Sequence, residues 1–454
     1  MAVKLPTVGI VSLGCPKNLV DTEVMLGYLE KGGLPVANPD EARVVVVNTC
    51  GFIDQAKEES VNAILEQVRR KERGEIDRVV VAGCMVQKYG AELAAEIPEV
   101  DHFIGLDELE NVGGAALGLP SLPRFANKPL ATRLYDHLAP RVLTNRKGYA
   151  YLKVSEGCNN PCTFCTIPQM RGLMRSRTPE SLVAEARHLE ELGVKELVLI
   201  SQDTTRYGEE LGLGREGLAT LIKKLAQETS FPWIRFLYAY PKTLHSSVLD
   251  LMAEEPRFLP YIDIPLQHVS RNVLTGMKRG GDPLSYRKMF EDVRKRVPAI
   301  TLRTTVIVGF PGETEDDFNE LMSFIADVDF DHLGVFPYSP EPGSGAEGLG
   351  DPIPSEVKEE RQAAVMTMQQ RISRAKNRKK KGKEFQALIE GVCEESDLLL
   401  QGRLASQAPE IDGRLLINEM PDGYNFRPGD LATVKVTEAH EYDLVGRVVV
   451  PASR

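Results

Sequence analysis

A fourth cysteine is what SEGCNNPCTFCTIP, residues 155–168, lacks: Cys158, Cys162 and Cys165 stand within eight positions, and no further Cys or His lies beside them. Structural zinc sites and electron-carrying iron–sulfur clusters normally take four protein ligands, so three point to a metal centre with one position open. Other absences narrow the chain further. No apolar run approaches the roughly 18 to 20 residues that span a bilayer, which excludes a membrane protein of the helical kind. The start, MAVKLPTVGIVSLG, is too short in its apolar part and too strand-like for a signal peptide, and no small-residue cleavage site follows. The expected location is therefore cytoplasmic. Seven cysteines is an odd count for 454 residues, which argues against a disulfide framework and for metal or redox use. A positive excess is missing too: the formal charge is −10, so nucleic acid is not expected as a whole-surface partner.

What is present divides into three parts. The first alternates strand and helix: VGIVSLGC, a helix around 18–31, VVVVNTCG, a helix over 54–72, RVVVAGC, another helix and HFIGLD. Continuous Val runs are the mark of parallel strands buried on both faces, so an open α/β sheet is expected over 1–125. Cys15, Cys50 and Cys84 follow three of these strands at spacings of 35 and 34 residues, about one βαβ unit each. Strand ends of such a sheet share one crevice, which would bring the three thiols together. Three separate packing cysteines is the plainer alternative.

Residues 126–148 read as a linker or crossing segment. From Tyr149 to about 376 six βα units follow in sequence, two fewer than a closed (βα)8 barrel needs, which predicts a partial, open (βα)6 barrel working at its strand C-termini. The 158/162/165 triad lies just past the first strand end. A Lys- and Arg-rich helix then runs over about 355–381 and ends in NRKKKGK, read as a solvated helix end. Residues 377–454 carry five short strands with turn punctuation such as PDG and RPGD, the pattern of a small β-barrel. From Glu384 onward there are thirteen acidic against six basic residues, a net of −7, a sign that repels RNA and attracts a basic protein. Cys393, alone in this part, reads as a packing residue.

The spacing C-x3-C-x2-C, with Phe164 before the last cysteine, resembles the radical S-adenosylmethionine superfamily. With SLGCPKNLVDTE, NTCGFI and AGC before it and a small barrel after it, the chain is similar to the methylthiotransferases over essentially its whole length. Pro161, directly before Cys162, departs from the basic or small residue of many relatives. The resemblance implies two 4Fe-4S clusters, one on Cys158, Cys162 and Cys165 and one on Cys15, Cys50 and Cys84, each with an open iron. It implies that S-adenosyl-L-methionine chelates the iron of the barrel cluster and is cleaved there to a 5′-deoxyadenosyl radical. Ser201, Gln202 and Asp203 lie where the superfamily holds the amino-acid part of that cofactor. Arg303 is expected to pair with its carboxylate, and Gly309 and Gly312 of GFPGE to let backbone approach the adenosine. Arg303 paired with a structural acid, and glycines that merely make the turn, are the alternatives. His268 reads as a structural histidine.

SLGCPKNLVD, YLKVSEGC, IPLQH and YSPEPG are most similar to the ribosomal-protein branch of the family, which implies methylthiolation of the β-carbon of an aspartate in small-subunit ribosomal protein twelve. The sister branch, of the MiaB type, acts on a tRNA adenosine. The implied partners are that ribosomal protein, a low-potential electron donor such as flavodoxin or ferredoxin, and a sulfur source. A membrane partner is not expected. A two-cluster electron carrier, the competing class, would need four thiolates per cluster, and the sequence lacks the extra two.

Overall fold

The computed structural model describes residues 5–126, 130–145, 147–421 and 425–451. Four parallel strands, β1 (Val8–Ser12), β2 (Val44–Thr49), β3 (Arg78–Gly83) and β4 (His102–Ile104), form the N-terminal sheet in sequence order. The Val run of β2 is consumed on both faces. Val44 and Val46 pack with Met25 and Leu29 of the helix Pro16–Lys31, whereas Val45 and Val47 pack with Ile64 and Val68 of the helix Asp54–Glu72. Two apolar faces hold a parallel strand between helix layers, each fully buried Val contributing about 1.5 kcal/mol or more.

The central domain opens with β5 (Tyr149–Lys153), then a short antiparallel pair, β6 (Ser155–Glu156) with β7 (Arg175–Ser176). That pair closes the loop which carries Cys158, Cys162 and Cys165. Strands β8 (Glu196–Ile200) and β9 (Trp233–Phe236) continue in parallel from β5, and β10 (Tyr261–Asp263), β11 (Thr301–Val308) and β12 (His332–Pro337) form a second parallel run. The Ala239 N–H donates to the Asp263 carbonyl at 2.8 Å and joins the two runs. Among the described residues β12 and β5 share no register, so six strands make an arc, the open partial barrel expected.

The helix Ser355–Arg378 leads from this arc to five strands, β13 (Glu384–Cys393), β14 (Ser396–Leu404), β15 (Leu415–Glu419), β16 (Leu431–Ala439) and β17 (Leu444–Pro451), which close into a barrel. Its β14–β15 connection packs against the lower end of the arc and lines a cavity of about 530 Å³ there with Tyr149, Arg303 and His332. Tyr149 Oη donates to Glu410 at 2.7 Å, Tyr261 Oη to Asp412 at 2.7 Å, and Arg403 Nη2 to Glu196 at 2.6 Å. Arg235, fully buried, takes the other oxygen of Glu196 at 2.7 Å. The small barrel is therefore part of the central core rather than an appended module. Lys380 of the basic run is turned inward, its ammonium 3.2 Å from Asn377 Oδ1 and 3.4 Å from Ser406 Oγ, so only part of the helix end is solvated.

Residues 130–145 do not hang free. Arg141 pairs with Glu23 of the N-terminal domain and with Glu185 of the central one, both at 2.6 Å, and staples the two together.

Candidate active site

The first three cysteines converge. Cys15 caps the helix Pro16–Lys31, Cys84 begins the helix Cys84–Glu96, and Cys50 lies in the loop after β2. A Cβ added to Gly14, whose φ is +88°, would stand 2.7 Å from Cys50 Cβ and 3.0 Å from Cys50 Sγ. Glycine is what lets the β1 loop approach the β2 loop. Buried amides fix both: Asn18 Nδ2 donates to the carbonyls of Leu13 at 2.7 Å and Thr49 at 3.2 Å, and Asn48 Nδ2 to the carbonyl of Asn18 at 2.9 Å. Cys50 exchanges two 3.0 Å hydrogen bonds with the Ser60 hydroxyl.

Burial opposes ionisation of these thiols, and cations answer it unevenly. It pushes Cys84 up to about 12 despite Arg171, and it raises Cys50. At Cys15 burial is outweighed by the Lys17 ammonium and the Arg171 guanidinium, which hold the thiol below its usual value. Iron would hold all three as thiolates, displacing their protons.

The second triad belongs to one loop. Cys158 Sγ accepts from the Asn160 N–H at 3.5 Å, Cys165 Sγ from the Ile167 N–H at 3.4 Å, and Cys162 Sγ from Arg279 Nη1 at 3.3 Å. Burial raises Cys158 to about 11 and Cys165 to about 12. Arg279 also donates to the Pro265 carbonyl at 2.6 Å and stacks on Tyr240, 4.4 Å from the ring centroid.

Arg171 joins the two triads. It ends the short helix Ile167–Arg171 directly after Cys165, yet its Nη2 donates to Cys84 Sγ at 3.1 Å and to Asp21 at 2.9 Å, and its Nη1 to both oxygens of Glu156 at 3.0 Å. Lys153 completes the group by pairing with Asp21 and, at 2.5 Å, with Glu156. All four charges are buried. Burial raises the cost of any unpaired member, and Arg171 and Lys153 keep Glu156 ionised well below the usual carboxylate range. A further clamp comes from YSPEPG. Glu341, 3 % exposed, receives Lys57 at 2.7 Å and Lys88 at 2.8 Å from two helices of the N-terminal domain.

The residues expected around S-adenosylmethionine divide. Ser201, Gln202 and Asp203 follow β8 near the cysteine loop: Asn160 Nδ2 donates to Asp203 Oδ2 at 2.7 Å, and burial raises the Asp203 carboxyl. Both amide atoms of Gln202 are buried without a partner, which leaves a donor and an acceptor for a polar ligand. Gly309 and Gly312 both have positive φ, +77° and +89°. A Cβ on Gly309 would collide with the Lys358 stem, whereas one on Gly312 meets nothing within 4 Å. Arg303 lies in the lower half of β11, held between Asp263 and Asp412 at 3.4 Å each, so its guanidinium is already engaged with acids. His268 is fully buried and its Nδ1 accepts from the Ser270 N–H at 3.0 Å, with Glu313 3.7 Å from Nε2. Cys393 is buried in the small barrel, remote from both triads in sequence and fold.

Two three-thiol sets, each short of one ligand, suit two cubane clusters, in which every thiolate binds a different iron. Among the described residues no three His, Cys, Asp or Glu side chains close on one shared metal ion, and a cubane needs them spread wider than that. Sequence reasoning missed Arg171 and Arg279, which donate to Cys84 and Cys162, and Lys17 with the Tyr238 ring beside Cys15. Lys17 and Arg171 were visible only as neighbours of cysteines, in GCPK and TIPQMRG.

Comparison with known proteins agrees over the whole chain. Residues 7–105 match the uncharacterized protein family UPF0004, residues 152–325 the radical SAM superfamily and residues 382–449 the TRAM domain. The chain is 48% identical to the ribosomal protein uS12 methylthiotransferase RimO of Solibacter usitatus (strain Ellin6076), covering 98% of this chain and 95% of the relative. It is 45% identical to the protein of the same description from Koribacter versatilis (strain Ellin345), covering 97% and 96%. In fold it is similar to the radical S-adenosylmethionine methyltransferase TsrM from Kitasatospora setae, solved with cobalamin and a [4Fe-4S] cluster, at a TM-score of 0.55 and 15% identity over 76% of this chain and 77% of that one.

Proposed function

This chain belongs to the RimO family of radical S-adenosylmethionine methylthiotransferases, and on that premise we propose that it adds a methylthio group to the β-carbon of an aspartate in ribosomal protein uS12. Its cofactors are two 4Fe-4S clusters and S-adenosyl-L-methionine. S-adenosyl-L-methionine with the cluster of the barrel loop would supply hydrogen abstraction from an unactivated C–H bond, which acid–base side chains cannot perform.

The observation that carries the reading is the contact between the surroundings of the two triads: Arg171, which follows Cys165 in the barrel loop, donates to the sulfur of Cys84 in the other domain. The chain's own groups do the rest. Cys158, Cys162 and Cys165 would hold one cluster, and Ser201, Gln202, Asp203, Gly309 and Gly312 are the groups that would receive the methionyl and adenosyl parts of the cofactor. Cys15, Cys50 and Cys84 would hold the other cluster, and the buried Asp21–Arg171–Glu156–Lys153 group ties the two domains that carry the triads. Tyr149, Tyr151 and Tyr261 are buried in the arc below.

The C-terminal barrel, net −7 from Glu384 onward, favours a basic ribosomal protein over the tRNA adenosine of the MiaB-type alternative. A low-potential donor such as flavodoxin or ferredoxin, a sulfur source and a cytoplasmic setting complete the proposal; among the described residues no helix is long and apolar enough to cross a membrane. The test is mass spectrometry of ribosomal proteins and tRNA from cells with and without the protein. Methylthioaspartate in uS12 that disappears with the protein, while tRNA is unchanged, is the expected result; loss of a tRNA modification instead overturns the substrate.

A further inference from the structure

The cations around the barrel mouth are mostly spent on carboxylates. Arg171 and Lys153 share Asp21 and Glu156, Arg177 takes Glu185, and Arg206 takes Glu209. Lys17 is different. It is 7 % exposed, yet among the described residues its ammonium forms no ion pair and stands instead over the Tyr238 ring, 3.3 Å from the centroid. A ring face returns only part of what a buried ammonium loses on leaving water.

The charged or ionisable groups that face it include the Cys15 and Cys50 thiols, the Tyr238 hydroxyl, the Arg171 guanidinium and the Asp263 carboxyl. Asp263 is already engaged, by Arg303 at 3.4 Å and by the Tyr238 N–H at 3.0 Å. Tyr238 itself is held at φ +65°, a left-handed conformation that an aromatic residue adopts at a cost and that the surrounding structure must impose. Backbone bonds impose it: the Tyr238 N–H reaches Asp263, and its carbonyl receives the Thr204 N–H at 3.0 Å, beside Ser201–Asp203. The protein thus fixes an aromatic platform at the strand end and lays on it an ammonium that, among the described residues, no carboxylate pairs and that faces the thiols of Cys15 and Cys50.

Position gives that ammonium a task. Lys17 is two residues beyond Cys15, and Tyr238 follows β9 at the barrel mouth, so the charge lies between the N-terminal triad and the arc interior. We infer that Lys17 is the carboxylate-recognition residue for the substrate: its ammonium binds the side-chain carboxylate of the target aspartate and turns the adjoining β-carbon toward the N-terminal triad. This rests on the proposed aspartate substrate and deepens it. The carboxylate carbon is bonded directly to the β-carbon, so one anchor positions the reacting atom. The same anchor selects against a nucleobase, which has no carboxylate to offer the ammonium.

The experiment uses the full chain with both clusters reconstituted anaerobically, S-adenosylmethionine present and reductant absent. Fluorescently labelled uS12 carrying either the native aspartate or asparagine at the modified position is titrated into wild type, Lys17→Met and Lys17→Arg, with iron content measured in parallel. Wild type should prefer the aspartate form by about tenfold or more, as a charge-assisted hydrogen bond implies. Lys17→Met should bring the two forms within about twofold of each other, and Lys17→Arg should keep the preference. Wild-type binding that ignores the change, or a Lys17→Met variant that retains the wild-type preference, overturns the inference and leaves the substrate proposal standing. Wild type that binds neither form defeats the substrate proposal itself.

Discussion

The two cysteine triads carry the same three ligands and are built in opposite ways. Cys158, Cys162 and Cys165 come from a single loop pinned by the β6–β7 pair, so local backbone sets their geometry. Cys15, Cys50 and Cys84 come from three strand ends, and only the register of the parallel sheet, with Asn18 and Asn48 bridging the loops, brings them together. The difference extends to charge. The barrel triad faces two guanidinium groups, Arg279 on Cys162 and Arg206 near Cys158, whereas the N-terminal triad faces an ammonium, Lys17, as well as Arg171. A local motif tolerates change elsewhere in the fold; a topological one fails when any element that fixes the sheet, or the domain contact, is disturbed.

Arg171→Met tests that contrast most severely. It leaves Asp21 and Glu156 with Lys153 alone, and breaking a buried ionic group in this way costs about 3–5 kcal/mol. Although Arg171 sits beside the barrel cysteines in sequence, the N-terminal cluster should suffer, because the lost hydrogen bond is to Cys84. Iron analysis and thermal unfolding should show about half the iron retained, with a lower unfolding temperature; equal loss from both clusters would mean that the triads are not independently built.

A milder pair of substitutions separates them by geometry. Gly14→Ala places a Cβ against Cys50 at a φ of +88°, and Gly157→Ala places one against the Leu173 carbonyl at +78°. Each should cost about 1–3 kcal/mol locally. Electron paramagnetic resonance of the reduced protein should show the N-terminal cluster perturbed by the first and the barrel cluster by the second. The same signal altered in both variants would remove the distinction.

The contrast also explains what could be read in the sequence. The barrel triad was legible because its spacing is local, and the Val runs of β2 and β3 announced strands buried on both faces. Convergence of Cys15, Cys50 and Cys84 was reachable through topology, since strand ends of a parallel sheet share one edge. Arg171 was not, because its meeting with Cys84 spans two domains and no pattern encodes it. Arg303 shows the converse: an arginine on a barrel strand suits a carboxylate, and pairing with a structural acid was one reading, but of its two partners Asp263 lies on the neighbouring strand and Asp412 comes from a different domain 109 positions later. The acidic C-terminal barrel was legible as a charge, whereas its burial of Glu196 between Arg235 and Arg403 was not. Removing that barrel would leave Glu196 and Arg235 uncovered, so a truncation tests stability before it tests recognition.

The central claim is that the two triads hold two clusters with different tasks, and triple Ala variants address it directly. Each variant is reconstituted anaerobically and assayed in parallel for iron, 5′-deoxyadenosine and methylthiolated uS12. The variant at Cys158, Cys162 and Cys165 should keep about half the iron and lose both products. The variant at Cys15, Cys50 and Cys84 should also keep about half, still form 5′-deoxyadenosine and yield no methylthiolated protein. Full iron and full methylthiolation in the second variant would contradict the account, leaving those three cysteines as packing residues.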